Sequence, residues 1–227
     1  REFCLRRQLV EAGALIKRFV SADEQVVSRA QTLVKELPDL SRCDPVAVDA
    51  GAQLLPRPEQ RAAVDAELAH LVEARTELLI GRSQQAQELG ESVRSRAQEL
   101  GYSPLQLEAD VFLARVRVAA GELGTGVTAL RQAIFAAERA ELGELAASFR
   151  VQLAVAVAGR FAKPALEQWM IDEAQLALDR VSRPDDARQV DLLLARARII
   201  EQAGDYDGAI AAHEHAWERA EGILDDA

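Results

Sequence analysis

In the stretch 204–216, GDYDGAIAAHEHA, Gly204 and Asp205 break one helical pattern and Tyr206 opens another. Ala209 and Ala216 then put small side chains on one stripe of the new helix, where a second backbone must come close. With the apolar helix expected over 192–202, this reads as a helix-turn-helix hairpin. The arrangement lines up again at 121–133, GELGTGVTALRQA, and more loosely at 81–93, GRSQQAQELGESV. A recurring pair of helices at a period of about 40 residues predicts a solenoid, in which no hairpin buries its apolar face alone. Helices expected over 145–158 and 165–181, around an irregular break at Gly159 to Pro164, supply a further unit. Four hairpins result, over 58–100, 104–141, 143–183 and 186–224.

Composition agrees with an all-α fold. Hydrophobic residues make up 49% of the 227 positions but aromatics only 4%, so the interior is built from Ala, Leu and Val, which suits close helix packing and suits a β-sandwich poorly. A formal net charge of −10 argues against a nucleic-acid surface, which needs a basic stripe to release counterions. No run of about 18 apolar residues suggests a membrane span, and Arg1 opens neither a start Met nor a signal-peptide pattern; the expectation is a soluble fragment of a longer chain without membrane contact of its own.

The N-terminal part, 1–55, reads as a helical hairpin with a short helix and connector, ahead of the array over 56–227. Helix 1, about 2–19, carries Leu5, Leu9, Ala12, Ile16 and Phe19 at steps of four and three, the expected core stripe. Ser21 followed by Glu24 reads as a capping box, and Val26, Ala30, Leu33 and Leu37 form the stripe of a second helix that Pro38 stops. Asp44 and Pro45 predict a short helix to about Gly51, and Pro56 and Pro58 mark the connector. An antiparallel hairpin places Cys4 near residues 36–40, within reach of Cys43. Both a disulfide and two buried thiols fit that placement.

Candidate chemistry is sparse. His213 and His215, two apart on a helix, face different ways; His213 is expected to pack and His215 to meet solvent, and with His70 distant they make no zinc site. GELGTG at 121–126 lacks the Lys and Ser/Thr of a phosphate loop and follows a helix. No nucleophile arrangement stands out, so neither catalytic residues nor a cofactor is expected. Arg75, Arg115 and Arg198 occupy one place in their hairpins, each following an alanine (Ala74, Ala114, Ala197), and the column is interrupted near Ala154. Two readings stay open: guanidinium groups lining a groove for an acidic or carboxylate-bearing peptide, or arginines paired internally with some of the 37 acidic residues.

Leu193, Ala197, Ile200, Ala209 and Ala216, with Tyr206 in the turn, resemble the packing residues of tetratricopeptide repeats, as do Leu113, Ala114, Leu130 and Ala133 one unit earlier. Arg196, His213 and Gly126 depart from that pattern, and the units exceed the usual 34 residues. The resemblance implies that Arg75, Arg115 and Arg198 line the concave groove. With no Asn in the chain and no Lys at the groove positions, the clamp that such repeats use for chaperone tails is not expected.

REFCLRRQL at the start, SADEQVVSRA at 21–30, LPDLSRCD at 37–44, LLPRPEQRAAVDAELA at 54–69 and ELGYSPLQLEA at 99–109 together resemble the C-terminal tetratricopeptide-repeat region of bacterial serine/threonine kinases of the myxobacterial type. The resemblance is to the accessory region; no kinase glycine-rich, HRD or DFG segment is present. It implies a protein- or peptide-binding regulatory module, placed outside the cytoplasm by a span elsewhere in the parent chain, or else a signalling scaffold without ligand-driven switching. An oxidising compartment in turn favours the Cys4–Cys43 bridge. No obvious polar capping helix follows the last hairpin, so the expectation is either further repeats beyond it or self-association through its apolar face.

Overall fold

The computed structural model describes residues 2–34, 37, 38, 43, 55–161, 163–181 and 186–225, with the side chains of residues 224 and 225 excepted. Every regular element among them is helical: α1 Glu2–Val20, α2 Glu24–Ser28, α3 Ala30–Val34, α4 Arg61–Leu79, α5 Ser83–Glu99, α6 Ser103–Ala119, α7 Leu123–Arg139, α8 Gly143–Val157, α9 Pro164–Asp179, α10 Arg188–Gln202 and α11 Tyr206–Asp225. A 3-10 turn, Pro58–Gln60, leads into α4. The short helix expected from Asp44 lies outside the described residues.

One local device repeats. Gly81, Gly101 and Gly121 take positive φ, at 91°, 64° and 88°, and Glu141 follows at 58°, so a left-handed residue falls at every twentieth position. Each ends its helix through the same bond between the next residue and the carbonyl five back: Arg82 N to Glu77 O (2.8 Å), Tyr102 N to Ala97 O (3.1 Å), Glu122 N to Arg117 O (2.9 Å) and Leu142 N to Ala137 O (2.9 Å). This Schellman closure satisfies carbonyls that the helix end leaves without partners, and glycine accepts it because it has no Cβ to clash. Gly204 repeats it before α11, with φ 83° and Asp205 N on Ile200 O. The consequence is a succession of helices, the 19-residue α4 and the 17-residue α5, α6 and α7, joined by three-residue turns.

The chain forms two compact units, 1–129 and 130–227, with the division inside α7. In the first unit α4 packs on α5, and α5 on α6, around Leu68, Leu71, Val93, Leu105, Phe112 and Val116. Gly126 on α7 is buried where a side chain has no room: a Cβ there would lie 2.5 Å from Val118 Cγ2 and 2.9 Å from the Ala114 carbonyl oxygen. Glycine at this position thus permits a close approach of α7 to α6. The N-terminal helices belong to the same unit. Leu15 of α1, Val26 of α2 and Leu33 of α3 share a cluster with Val72 and Ile80 at the end of α4.

Three local expectations are corrected here. The stripe Leu5, Leu9, Ile16 faces outward on α1; the inward face carries Gln8 and Leu15, because two buried carboxylates described below draw Arg7 and Arg18 inward. Ser21 does not cap the second helix: its hydroxyl donates back to Lys17 O, and Asp23 is the cap, its Oδ1 accepting from Val26 N at 3.0 Å. That second helix is interrupted at Arg29, giving α2 and α3, with Val26 and Leu33 buried and Leu37 exposed.

In the second unit α10 packs on α8, α9 and α11, around Val151, Ala154, Ile171, Leu178, Leu192 and Ile199. The irregular break before α9 is held by Glu167, a fully buried carboxylate that accepts from Gly159 N (2.7 Å) and Phe161 N (2.8 Å). Ala209 and Ala216 are buried on α11 as the hairpin pattern requires, whereas His213 is exposed and does not pack.

Candidate functional site

Charged side chains are concentrated where α1 meets α4 and α6. Glu108 of α6 is 5% exposed, and Arg7 of α1 reaches it with two parallel hydrogen bonds, Nη1 to Oε1 at 2.8 Å and Nη2 to Oε2 at 2.6 Å. Arg75 of α4 donates to the same Oε2 at 3.3 Å, and Arg7 Nε donates to Glu11 at 3.1 Å. Planar bidentate pairing is the strong form of a carboxylate–guanidinium contact. Burial alone would raise the Glu108 pKa, but the Arg7 charge and hydrogen bonds, with Arg75 beside them, hold it below the usual carboxylate range. Burial would likewise ease the proton off Arg7, and Glu108 and Glu11 outweigh it, so Arg7 stays charged. Tyr102, buried next to this group, has its phenol pushed up to about 12, chiefly by desolvation.

A second group has the same logic. Glu77 near the end of α4 is almost fully buried and lies 3.0 Å from Arg18 Nη2 of α1 and 3.2 Å from Arg82 Nη1 in the α4–α5 turn. Arg82 also donates to Asp23 at 2.5 Å and to Gln25 Oε1 at 2.7 Å. The α1–α2 hairpin is therefore fastened to α4 and α6 at two points by the buried acids Glu77 and Glu108 and the arginines of α1, and Cys4 is bonded to Cys43 with Cα atoms 5.4 Å apart. A third buried pair lies in the second unit, where Arg188 is held by Asp186 through its Nε and Nη2 and meets Glu144 at 2.8 Å.

The three arginines singled out in the sequence have different surroundings. Arg75 is half-buried and paired with Glu108, so the internal-pairing reading holds for it. Arg115 is half-buried on α6 and also engages other groups. Arg198 is exposed on α10, its carbonyl side lying 3.4 Å from where a Cβ on Gly159 would be. Arg75 and Arg115 belong to the first compact unit and Arg198 to the second. Periodicity missed Arg7 and Glu108 because they lie 101 residues apart; an apolar stripe gives no sign of such a pair.

Among the described residues, no group of three or more His, Cys, Asp or Glu side chains could hold a metal ion, and no helix is long and apolar enough to cross a membrane. The fold and these charge clusters define an all-helical chain of packed adjacent helices with a clamped N-terminal hairpin. Comparison with protein-family models, curated proteins and solved structures finds no match.

Proposed function

We propose that the chain is a protein- or peptide-binding array of tetratricopeptide-like hairpins that serves as the regulatory or sensory region of a receptor-like serine/threonine kinase. The observation that carries this reading is the twenty-residue recurrence of one left-handed turn, at Gly81, Gly101, Gly121 and Glu141, joining helices of 15 to 19 residues. Repetition of a single supersecondary unit is the hallmark of arrays that present side chains of successive first helices to an extended ligand. Arg115 and Arg198 are the groove arginines of this reading, with an acidic peptide segment as the ligand. Arg75 contributes mainly to the clamp on Glu108. The array itself carries no catalysis and requires no cofactor. The Cys4–Cys43 bond supports a place outside the cytoplasm, where disulfides persist.

A signalling scaffold without ligand-driven switching is the second reading, favoured by the commitment of Arg75 to an internal carboxylate. Fluorescence anisotropy with a library of acidic peptides tests the binding claim. Arg115→Ala combined with Arg198→Ala is expected to weaken the best peptide at least about tenfold, the loss of one charge-assisted contact or more. Unchanged affinity would remove the groove reading. Peptide binding that leaves autophosphorylation of the full-length kinase unaltered would favour the scaffold.

A further inference from the structure

Two internal helices, one in each unit, share a packing register. α5 packs on α4 and α6 with Ala86, Gly90, Val93 and Ala97 buried, and α9 packs on α8 and α10 with Glu167, Ile171, Ala174 and Leu178 buried, at the same steps of four, three and four. Their outward positions therefore match one by one. On α5 these hold Gln85, Glu88, Ser92 and Ser95, all exposed and all polar. On α9 the same places hold Leu166, Trp169, Glu173 and Leu176, and the three apolar side chains are 40%, 57% and 54% exposed. A helix in this place folds with a polar outer face, so packing does not call for the apolar one. Steps of three, four and three set the four residues of α9 on one stripe.

The middle of that stripe is charged. Glu173 is exposed between Trp169 and Leu176 and has no ion pair among the described residues. Its neighbour Asp172 already accepts from Gln168 at 2.8 Å and Arg196 at 3.2 Å. Apolar groups laid over the stripe would strip water from the Glu173 carboxylate and leave it unmatched, which is costly unless the covering surface brings a cation. A second copy does not bring one. Parallel pairing of the stripe with itself sets the two Glu173 carboxylates opposite each other, and antiparallel pairing about Ile171 leaves them about 6 Å apart along the axis. Neither Lys nor Arg lies between Leu166 and Leu176 to separate them.

We infer that the outer face of α9 docks an amphipathic helix of a partner protein whose apolar stripe carries a Lys or Arg at its centre, opposite Glu173. The rise from Leu166 to Leu176 matches a partner helix of about three turns. Trp169 is the anchor, a large aromatic side chain flanked by leucines as at the centre of protein interfaces. Glu173 sets the charge preference, because an acidic partner side chain in that place is repelled. The contact uses neither Arg115 nor Arg198, and its ligand has the opposite charge to the acidic peptide proposed for them, so either reading stands if the other falls.

Selection of displayed helical peptides of about 15 residues tests it, with the Arg115→Ala, Arg198→Ala double variant as target so that ligands of those arginines drop out. Enriched sequences should share a Lys or Arg with Leu, Ile or Phe three or four positions to either side. The best peptide is then measured by fluorescence anisotropy. Trp169→Gln with Leu176→Gln gives α9 the polar outer face of α5; it should leave the melting temperature unchanged and weaken the peptide at least about tenfold. Glu173→Lys should weaken it as well and turn the preference to the same peptide with its central cation replaced by Glu. Enrichment of acidic sequences or of none, binding that survives the paired Gln changes, a marked fall in their melting temperature, or an unchanged preference in Glu173→Lys overturns the inference.

Discussion

Replacing Glu108 tests whether a buried acid, more than apolar contact, holds α1 to α4 and α6. Glu108→Gln keeps the shape and removes the charge, leaving Arg7 and Arg75, each with a side chain 27% exposed, facing one another without their shared anion. Breaking a buried ion pair costs about 3–5 kcal/mol, and the partial exposure of both arginines reduces that to about 2–4 kcal/mol. Converting the pair outright, with Arg7→Met and Glu108→Leu together, should recover part of the loss, because the bidentate pair then leaves neither of its own charges behind, although Arg75 and Glu11 each lose a partner. The assay is urea unfolding followed by far-UV circular dichroism; both tryptophans, Trp169 and Trp217, lie in the second unit and do not report on α1 directly. The sign of the pH dependence follows from the lowered pKa of Glu108. A carboxylate whose pKa is depressed by folding contributes stability above its unfolded value, about 4.3, and that contribution is lost as pH falls through the lower folded value. The wild type should therefore lose stability in acid below about pH 4, and Glu108→Gln should lose less over that interval. A cost under about 1 kcal/mol for Glu108→Gln would refute the clamp.

The remaining expectations concern backbone and covalent ties. Gly126→Ala should destabilise by about 1–3 kcal/mol in thermal unfolding, since the new methyl would meet Val118 and the Ala114 carbonyl. Glu141→Gly should stabilise by about 0.5–1 kcal/mol, because a left-handed φ of 58° strains any residue with a Cβ; a loss of stability would count against the turn geometry. Cys4→Ser should cost about 3–4 kcal/mol on the chain-entropy estimate for a bridge spanning 39 positions, and reductant should lower the wild-type melting temperature while leaving the variant unchanged.

Sequence patterns reached the helical class and the breaks at Gly81, Gly121 and Gly204, because glycine at a helix end is a local signal. The stricter twenty-residue spacing was hidden by two features. Gly101 sits between hairpins and not within one, and at 141 the left-handed place is taken by Glu, which carries no such signal. The facing of α1 was misjudged for a different reason. Counting apolar residues selects Leu5, Leu9 and Ile16, yet the orientation is set by Glu77 and Glu108, acids on other helices that would be costly to bury without Arg18 and Arg7. Antiparallel helices placed Cys4 within reach of Cys43 but left bridge and thiols equally open; only the oxidising compartment implied by the family resemblance favoured the bridge that the structure contains. For the arginine column, equal register did not mean equal surroundings: Arg75 meets Glu108 and Arg198 faces solvent, a difference made by tertiary neighbours.

The binding claim is tested most directly by amide hydrogen exchange with and without a saturating acidic peptide. The account predicts added protection on the first helices of successive hairpins, around Arg115 on α6 and Arg198 on α10, with little change on the far faces of α5 and α9. Protection confined to α5 and α9, or none anywhere at saturation, would contradict it.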